Sequence, residues 1–122
     1  MTETDDPRRE AFDRGDFADF VPDGWVQLMR ELHAALIAAD PDLRYRDVKQ
    51  KFAELRVYVG SVVPETRELI DAAEVRSRSI CEQCGRPGVT HKSRMGWYRA
   101  LCPSCAATQP EGYTAVPTED DQ

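Results

Sequence analysis

Two C-x2-C pairs constrain this chain of 122 residues more than any other feature. Cys81 and Cys84 form the first pair, Cys102 and Cys105 form the second, and seventeen residues separate the pairs. Two residues between cysteines let one tight turn direct both sulfurs at a single ion, and four thiolates complete the tetrahedron that Zn²⁺ prefers. The spacing therefore predicts one zinc ion held by Cys81, Cys84, Cys102 and Cys105.

A complete set of protein ligands has a consequence for function. A catalytic zinc keeps one position open for water or substrate, whereas four cysteines leave none open. We therefore expect a structural zinc, with His33 and His91 at the surface. Neither a Ser-His-Asp or Cys-His arrangement nor a glycine-rich phosphate loop can be recognised in the sequence. The sequence predicts a protein that is not an enzyme and has no small-molecule substrate.

Apolar periodicity outlines the rest of the fold. Residues at helical spacing predict a helix over 24–39, with Asp23 as its N-cap, and a second helix over 64–80 that begins at Pro64. Residues 44–59 fit both a helix and strands, but their β-branched residues and tyrosines favour antiparallel strands at 45–51 and 55–60. Between the cysteine pairs, segments 89–93 and 97–101 predict another hairpin, and Pro103 opens a short helix.

These elements predict a small single domain of the α+β class. A helix, a β-hairpin and a second helix lead into a four-cysteine module of the treble-clef or zinc-ribbon kind. A body of about 80 residues buries a marginal fraction of its surface, so a metal staple is expected on physical grounds as well.

Charge divides the chain, whose formal net charge is −6, into four segments. Residues 1–23 contain eight acids and three arginines, and residues 109–122 contain four acids and no Lys or Arg. We expect a partly disordered acidic N-terminal segment and a disordered acidic tail, enclosing an α/β body over 24–80 and a zinc module over 81–108. Within the first segment, Phe12, Phe17 and Phe20 offer apolar contacts by which it can dock on the core.

The central part of the chain is mildly basic and supplies candidate partner-binding residues. For Trp97, two interpretations stay open, stacking on a partner or packing beneath the zinc hairpin. The candidates are Arg46, Lys49, Lys51, Arg56, Arg94, Trp97 and Arg99.

Several segments of the chain also resemble a known group of proteins. The segments VKQKFAELRVYV, CEQCGRPG and GWYRALCPSC, with Gly24-Trp25 before them, resemble a widespread, largely uncharacterised family of small bacterial and phage proteins over roughly 24–106. That family has a K-x-K-F-G-x-L-R-F-Y segment followed by a C-x-x-C…C-x-x-C module. Ala53 stands where its glycine is found, so the turn is expected to differ here. The resemblance implies one compact zinc-bound unit and no particular reaction.

The function that these features favour is stoichiometric binding of a protein partner, as an adaptor or as an immunity-type inhibitor of a toxin. The alternative is nucleic-acid binding, for which residues 76–99 combine basic and aromatic side chains. No apolar run approaches the ~20 residues of a membrane span, and the N-terminus lacks the features of a secretory signal. We expect a cytoplasmic protein without membrane contact.

Overall fold

The structure is a computed structural model that describes residues 6–117. Within these residues the chain is a small α+β fold, as predicted, with two antiparallel hairpins. The elements in chain order are α1 (Pro7–Asp13), a 3-10 turn (Asp23–Trp25), α2 (Val26–Ala39), β1 (Arg44–Lys51), β2 (Glu54–Gly60), α3 (Pro64–Ser77), β3 (Val89–Lys92), β4 (Tyr98–Leu101), α4 (Pro103–Ala107) and β5 (Thr114–Ala115).

The first hairpin resolves the ambiguity over residues 44–59 in favour of strands. β1 pairs with β2 up to Lys51 and Glu54, so only Phe52 and Ala53 form the turn. Both turn residues are left-handed, with φ of 54° and 66°. This is the combination of a type I′ turn, whose twist matches the strands and which usually selects Asn-Gly. The turn therefore keeps the conformation that a glycine would favour, at a strain of about 1–2 kcal/mol per residue.

Side chains cap both outer edges of this hairpin. On β2, the Leu55 amide donates to Ser77 Oγ at 2.9 Å and the Val57 amide donates to Glu74 Oε2 at 3.0 Å. On β1, the Tyr45 amide donates to Asp6 Oδ2 at 2.7 Å. Strand amides that would otherwise face solvent are thus satisfied by side chains from α3 and from the residue before α1.

The main core lies between α2, α3 and the first hairpin. Its fully buried members come from every one of these elements and from the 3-10 turn before α2. Because that turn precedes Val26, Asp23 is not the N-cap of α2, contrary to the prediction. The largest fully buried core side chains are Trp25, Phe12, Met29, Leu36, Leu43, Leu55 and Ile70.

The N-terminal segment belongs to this core. The buried Phe12 ring stacks on Phe17 at 4.8 Å between centroids and meets Phe20 edge-on at 5.5 Å. Arg9 on α1 donates hydrogen bonds to the carbonyl oxygens of Leu43 and Pro41. The predicted docking of Phe12, Phe17 and Phe20 on the core is therefore confirmed, and within the segment 1–23, which was expected to be partly disordered, residues 6–23 pack against the core. Residues 1–5 lie outside the described part of the chain.

His33 is buried in the same region, so its predicted surface location is wrong. Its Nδ1 lies 2.7 Å from the hydroxyl of Tyr45, and its Nε2 lies 3.0 Å from a carboxylate oxygen of Asp13. Burial lowers the pKa of His33, because it disfavours the imidazolium more than the Asp13 carboxylate favours it. Burial also raises the pKa of Tyr45 far above its usual range.

Candidate metal centre

The four predicted cysteine ligands converge on one point. Their sulfur atoms all lie within 4.8 Å of one another, and the sulfurs of Cys84 and Cys102 are 3.7 Å apart. A tetrahedral ion with metal–sulfur bonds of about 2.3 Å places its sulfurs about 3.8 Å apart. The cluster has the size and the donor chemistry of a site for one metal ion.

Each cysteine pair is shaped by local backbone hydrogen bonds. In the first pair, the Cys81 amide donates to Arg86 O at 2.7 Å, and the amide of Gly85, with φ of +83°, donates to Cys81 O at 2.9 Å. In the second pair, Cys102 caps α4, and its sulfur accepts from the Cys105 amide at 3.4 Å. The two pairs thus reach the cluster from a tight turn and from a helix start.

The thiols of the cluster differ in acidity. Burial acts to raise the pKa of Cys81, but the backbone amides of Cys102, Cys84 and Gln83 outweigh it and lower this pKa to about 7. Burial raises the pKa of Cys105 to about 12, and the neighbouring cysteines act in the same direction. Four thiolates this close require a cation to neutralise them, and a bound metal ion reverses the effect of crowding on their pKa values.

The 3-10 turn before α2 contacts and supports the first cysteine turn. The Gly24 amide donates to Glu82 O at 2.8 Å, and the buried indole of Trp25 donates to Ile80 O at 2.9 Å. A Cβ at position 24 would overlap the carbonyl oxygen of Cys81 and lie 2.6 Å from the carbonyl carbon of Glu82. A residue 57 positions earlier in the chain therefore helps to place the metal ligands.

Glu82, inside the first C-x2-C pair, joins the metal module to the body. Its buried carboxylate accepts from the Ala100 amide at 2.8 Å and from Gln50 Nε2 at 3.1 Å, and it pairs with Arg99 at 3.3 Å. Gln50, on β1, also donates to Tyr98 O at 2.8 Å. The sequence predicted no role for Glu82, although an acidic residue between two ligand cysteines can indicate a contact with a neighbouring backbone amide or arginine.

Two further sequence predictions near the site are wrong. His91 is buried rather than at the surface, with its Nδ1 2.9 Å from Val89 O, and it is not part of the cysteine cluster. The expected disordered tail over 109–122 is in part ordered, because Thr114–Ala115 forms β5 and pairs with β3. Residues 118–122 lie outside the described residues.

The structure separates the seven candidate partner-binding residues into two groups. Three arginines are engaged within the protein: Arg56 pairs with Glu54 at 2.8 Å, Arg99 pairs with Glu82, and Arg94 donates to Pro110 O at 3.2 Å. The other four, Arg46, Lys49, Lys51 and Trp97, are exposed.

Two large aromatic side chains near the site are exposed: Trp97, a predicted candidate, and Phe52, which was not predicted. Trp97 is 69% exposed, so it does not pack beneath the zinc hairpin. Phe52, at the tip of the first hairpin, is 65% exposed, and its ring lies 5.9 Å from that of Tyr98 on β4. The signal for Phe52 was an aromatic residue at the position of a tight turn.

Fold and site together define a small α+β protein with a four-cysteine cluster of the zinc-ribbon-like kind. Comparisons with protein-family models, curated proteins and solved structures find no match for this chain. The resemblance to the bacterial and phage family stays a prediction. Among the described residues, every helix is too short or too polar to cross a membrane.

Proposed function

We propose that this protein is a non-enzymatic interaction module that binds a protein partner stoichiometrically in the cytoplasm, as an adaptor or as an immunity-type inhibitor. The observation that carries this proposal is the exposure of Phe52 and Trp97 on neighbouring hairpins. Large aromatic side chains are costly to leave in water and are enriched among the residues that dominate protein–protein binding.

We assign one structural zinc ion to the cysteine cluster. Four soft thiolates in a tetrahedral arrangement suit Zn²⁺, and no position is left for a substrate. Structural zinc contributes apparent binding energies of about 10–16 kcal/mol in zinc-finger peptides at pH 7, which appear as folding energy. The ion would fix the second hairpin and, through Glu82 and Gln50, its position against the first.

Nucleic-acid binding is the second candidate, and one observation favours it. Lys51 Nζ lies 5.7 Å from the centre of the Phe52 ring, and Lys92 Nζ lies 5.6 Å from that of Tyr98. Ammonium groups beside aromatic rings suit phosphate contact combined with base stacking. Three of the candidate arginines, however, are engaged within the protein, and the formal net charge of −6 opposes a polyanion.

Native mass spectrometry of the protein purified from cells that make it tests the proposal. We expect one zinc ion and one defined second polypeptide per chain, and the same one-to-one complex when the two purified proteins are mixed. Elemental analysis would identify the metal independently. Zinc-loaded protein that carries nucleic acid and no polypeptide would overturn the proposal in favour of the second candidate.

A further inference from the structure

We propose that the tips of the two hairpins form one docking surface for an acidic polypeptide segment that carries a large apolar anchor residue. This inference rests on the proposed function and names the surface and the chemistry of the partner. We call this surface the tip surface; its residues are Lys51, Phe52, Lys92, Met95 and Trp97.

Contacts between the hairpins hold the two tips side by side. The Phe52 ring packs edge-on against Tyr98, which follows Trp97 directly, and Gln50 donates to Tyr98 O at 2.8 Å. Glu82 accepts from Gln50 on one hairpin and from Ala100 on the other. Because these bonds fix the tips before any partner arrives, little ordering is needed on binding.

The backbone at Phe52 indicates that its side chain is placed for a purpose other than folding. Phe52 has φ of 54° and is 65% exposed, so it is strained and gains little from burial. Asn or Gly would relieve the strain at this position of a type I′ turn. Strained backbone persists preferentially at functional sites, where the strained residue presents a group to a ligand.

The charge around the tips favours an acidic partner. Lys51 and Lys92 are exposed, and the carboxylates of Glu54, at the start of β2, and of Glu82, in the first cysteine turn, are buried and paired with arginines. Glu111 is an exposed carboxylate beside the second tip, and its backbone oxygen accepts from the Arg94 amide at 3.4 Å. The tip surface therefore combines exposed ammonium groups with apolar side chains.

The shape and flexibility of the second tip favour a polypeptide over a nucleic acid. A shallow cleft of about 310 Å³ beside Trp97 has room for one large side chain; its aromatic wall is Trp97, Tyr98 and Tyr113, and its polar lining is Gln50 and the ion pair of Glu82 with Arg99. Met95 at the same tip is 79% exposed, and its flexible thioether adapts to irregular apolar surfaces. Methionine and large aromatic side chains are enriched at protein interfaces, and Arg56, Arg94 and Arg99, which would strengthen phosphate binding, make contacts within the protein.

Selection of random displayed dodecapeptides on the zinc-loaded full-length protein tests the inference. We expect the enriched peptides to be rich in Asp and Glu around one large apolar residue. Phe52→Asn, Trp97→Ser and Lys51→Glu should each weaken binding of such a peptide by about 10-fold or more. Val62→Ser is the matched control, because Val62 is 96% exposed at the opposite end of the first hairpin, and it should change nothing.

Folding is followed in the same variants by circular dichroism, melting temperature and zinc content. Phe52→Asn should melt at the same or a higher temperature while it binds more weakly, a combination that a purely structural role would not produce. Enriched peptides that are basic, or that still bind the three tip variants, would overturn this inference and leave the proposed function standing. No enrichment at all, with binding of a labelled short oligothymidylate, would overturn the proposed function as well.

Discussion

Gly24→Ala is the substitution that most directly tests whether the body of the protein shapes the metal centre. The φ of Gly24 lies outside the left-handed region, so alanine suits its backbone. In open space, alanine would stabilise the protein by about 0.4–1 kcal/mol, since it restricts the unfolded chain. The contacts that a methyl group would make at position 24 predict that alanine destabilises the protein instead.

The magnitude follows from what the added methyl group meets. It overlaps the backbone of Cys81 and Glu82, which cannot move without disturbing the cysteine turn. Overpacking of this kind costs about 1–3 kcal/mol, and the hydrogen bond from the Gly24 amide to Glu82 O contributes about 1 kcal/mol more if it is lost. After the gain from the unfolded state, we expect a net destabilisation of about 1–3.5 kcal/mol.

Urea unfolding of the zinc-loaded protein, followed by circular dichroism, measures this change. For a slope of about 1.5 kcal/mol per molar urea, the midpoint should fall by about 0.7–2.3 M. The variant should also release zinc to a chromophoric chelator at lower chelator concentration, because its first cysteine turn is displaced.

Gly15→Ala provides the control for the same change away from the site. Its φ is +85° and nothing lies within 4 Å of the added methyl group, so it should cost roughly 1 kcal/mol of turn strain and leave chelator release unchanged. If the Gly24→Ala protein were as stable as the wild type and released zinc equally, the 3-10 turn before α2 would not support the metal centre.

Three further predictions concern the turn, the metal and a buried histidine. Phe52→Asn relieves about 1–2 kcal/mol of left-handed strain but loses the edge-on contact with Tyr98, which contributes about 0.5–1.5 kcal/mol, so the free energy of unfolding should stay level or rise by up to about 1 kcal/mol; a clearly lower urea midpoint would contradict the assigned turn strain. Cys84→Ser should abolish tight zinc binding and unfold the second hairpin; one zinc per chain and an unchanged melting temperature would contradict the assignment of Cys84 as a ligand. Burial lowers the pKa of His33, so the unfolded chain binds more protons below its ordinary pKa of about 6.5, and stability should fall as the pH drops through 6.5 towards the folded-state pKa. His33→Gln should flatten this part of the stability profile, and an unaltered slope in unfolding measured from pH 7 to pH 5 would count against it.

The parts of the fold that the sequence predicted correctly depend on local chemistry. The spacing of the cysteines predicts their convergence, because two intervening residues fix the geometry of each turn. Alternation of apolar residues around Val57 distinguishes strand from helix once β-branched residues are weighed. These patterns are local in sequence and do not depend on contacts with distant parts of the chain.

The parts that were missed depend on contacts between distant segments. The Phe12 ring packs against the rings of Tyr45 and His33 across the core. The segment around Phe12 is therefore folded, although its acidic composition is typical of disorder. Arg99 is used by Glu82 and is not free for a partner, a pairing that only the folded chain brings about. β5 has two residues, too few to leave a periodic pattern, and pairs only because β3 presents an edge to it.

The capped edges of the first hairpin also bear on intermolecular strand pairing. The β2 segment is apolar, β-branched and aromatic, which is the composition of strands that template intermolecular pairing. Ser77 and Glu74 occupy the two β2 amides to which a second molecule would otherwise bond. Both caps lie in α3, later in the chain, so during synthesis the hairpin emerges from the ribosome with this edge open. The helix that covers the open edge of β2 is therefore synthesised after the strand itself.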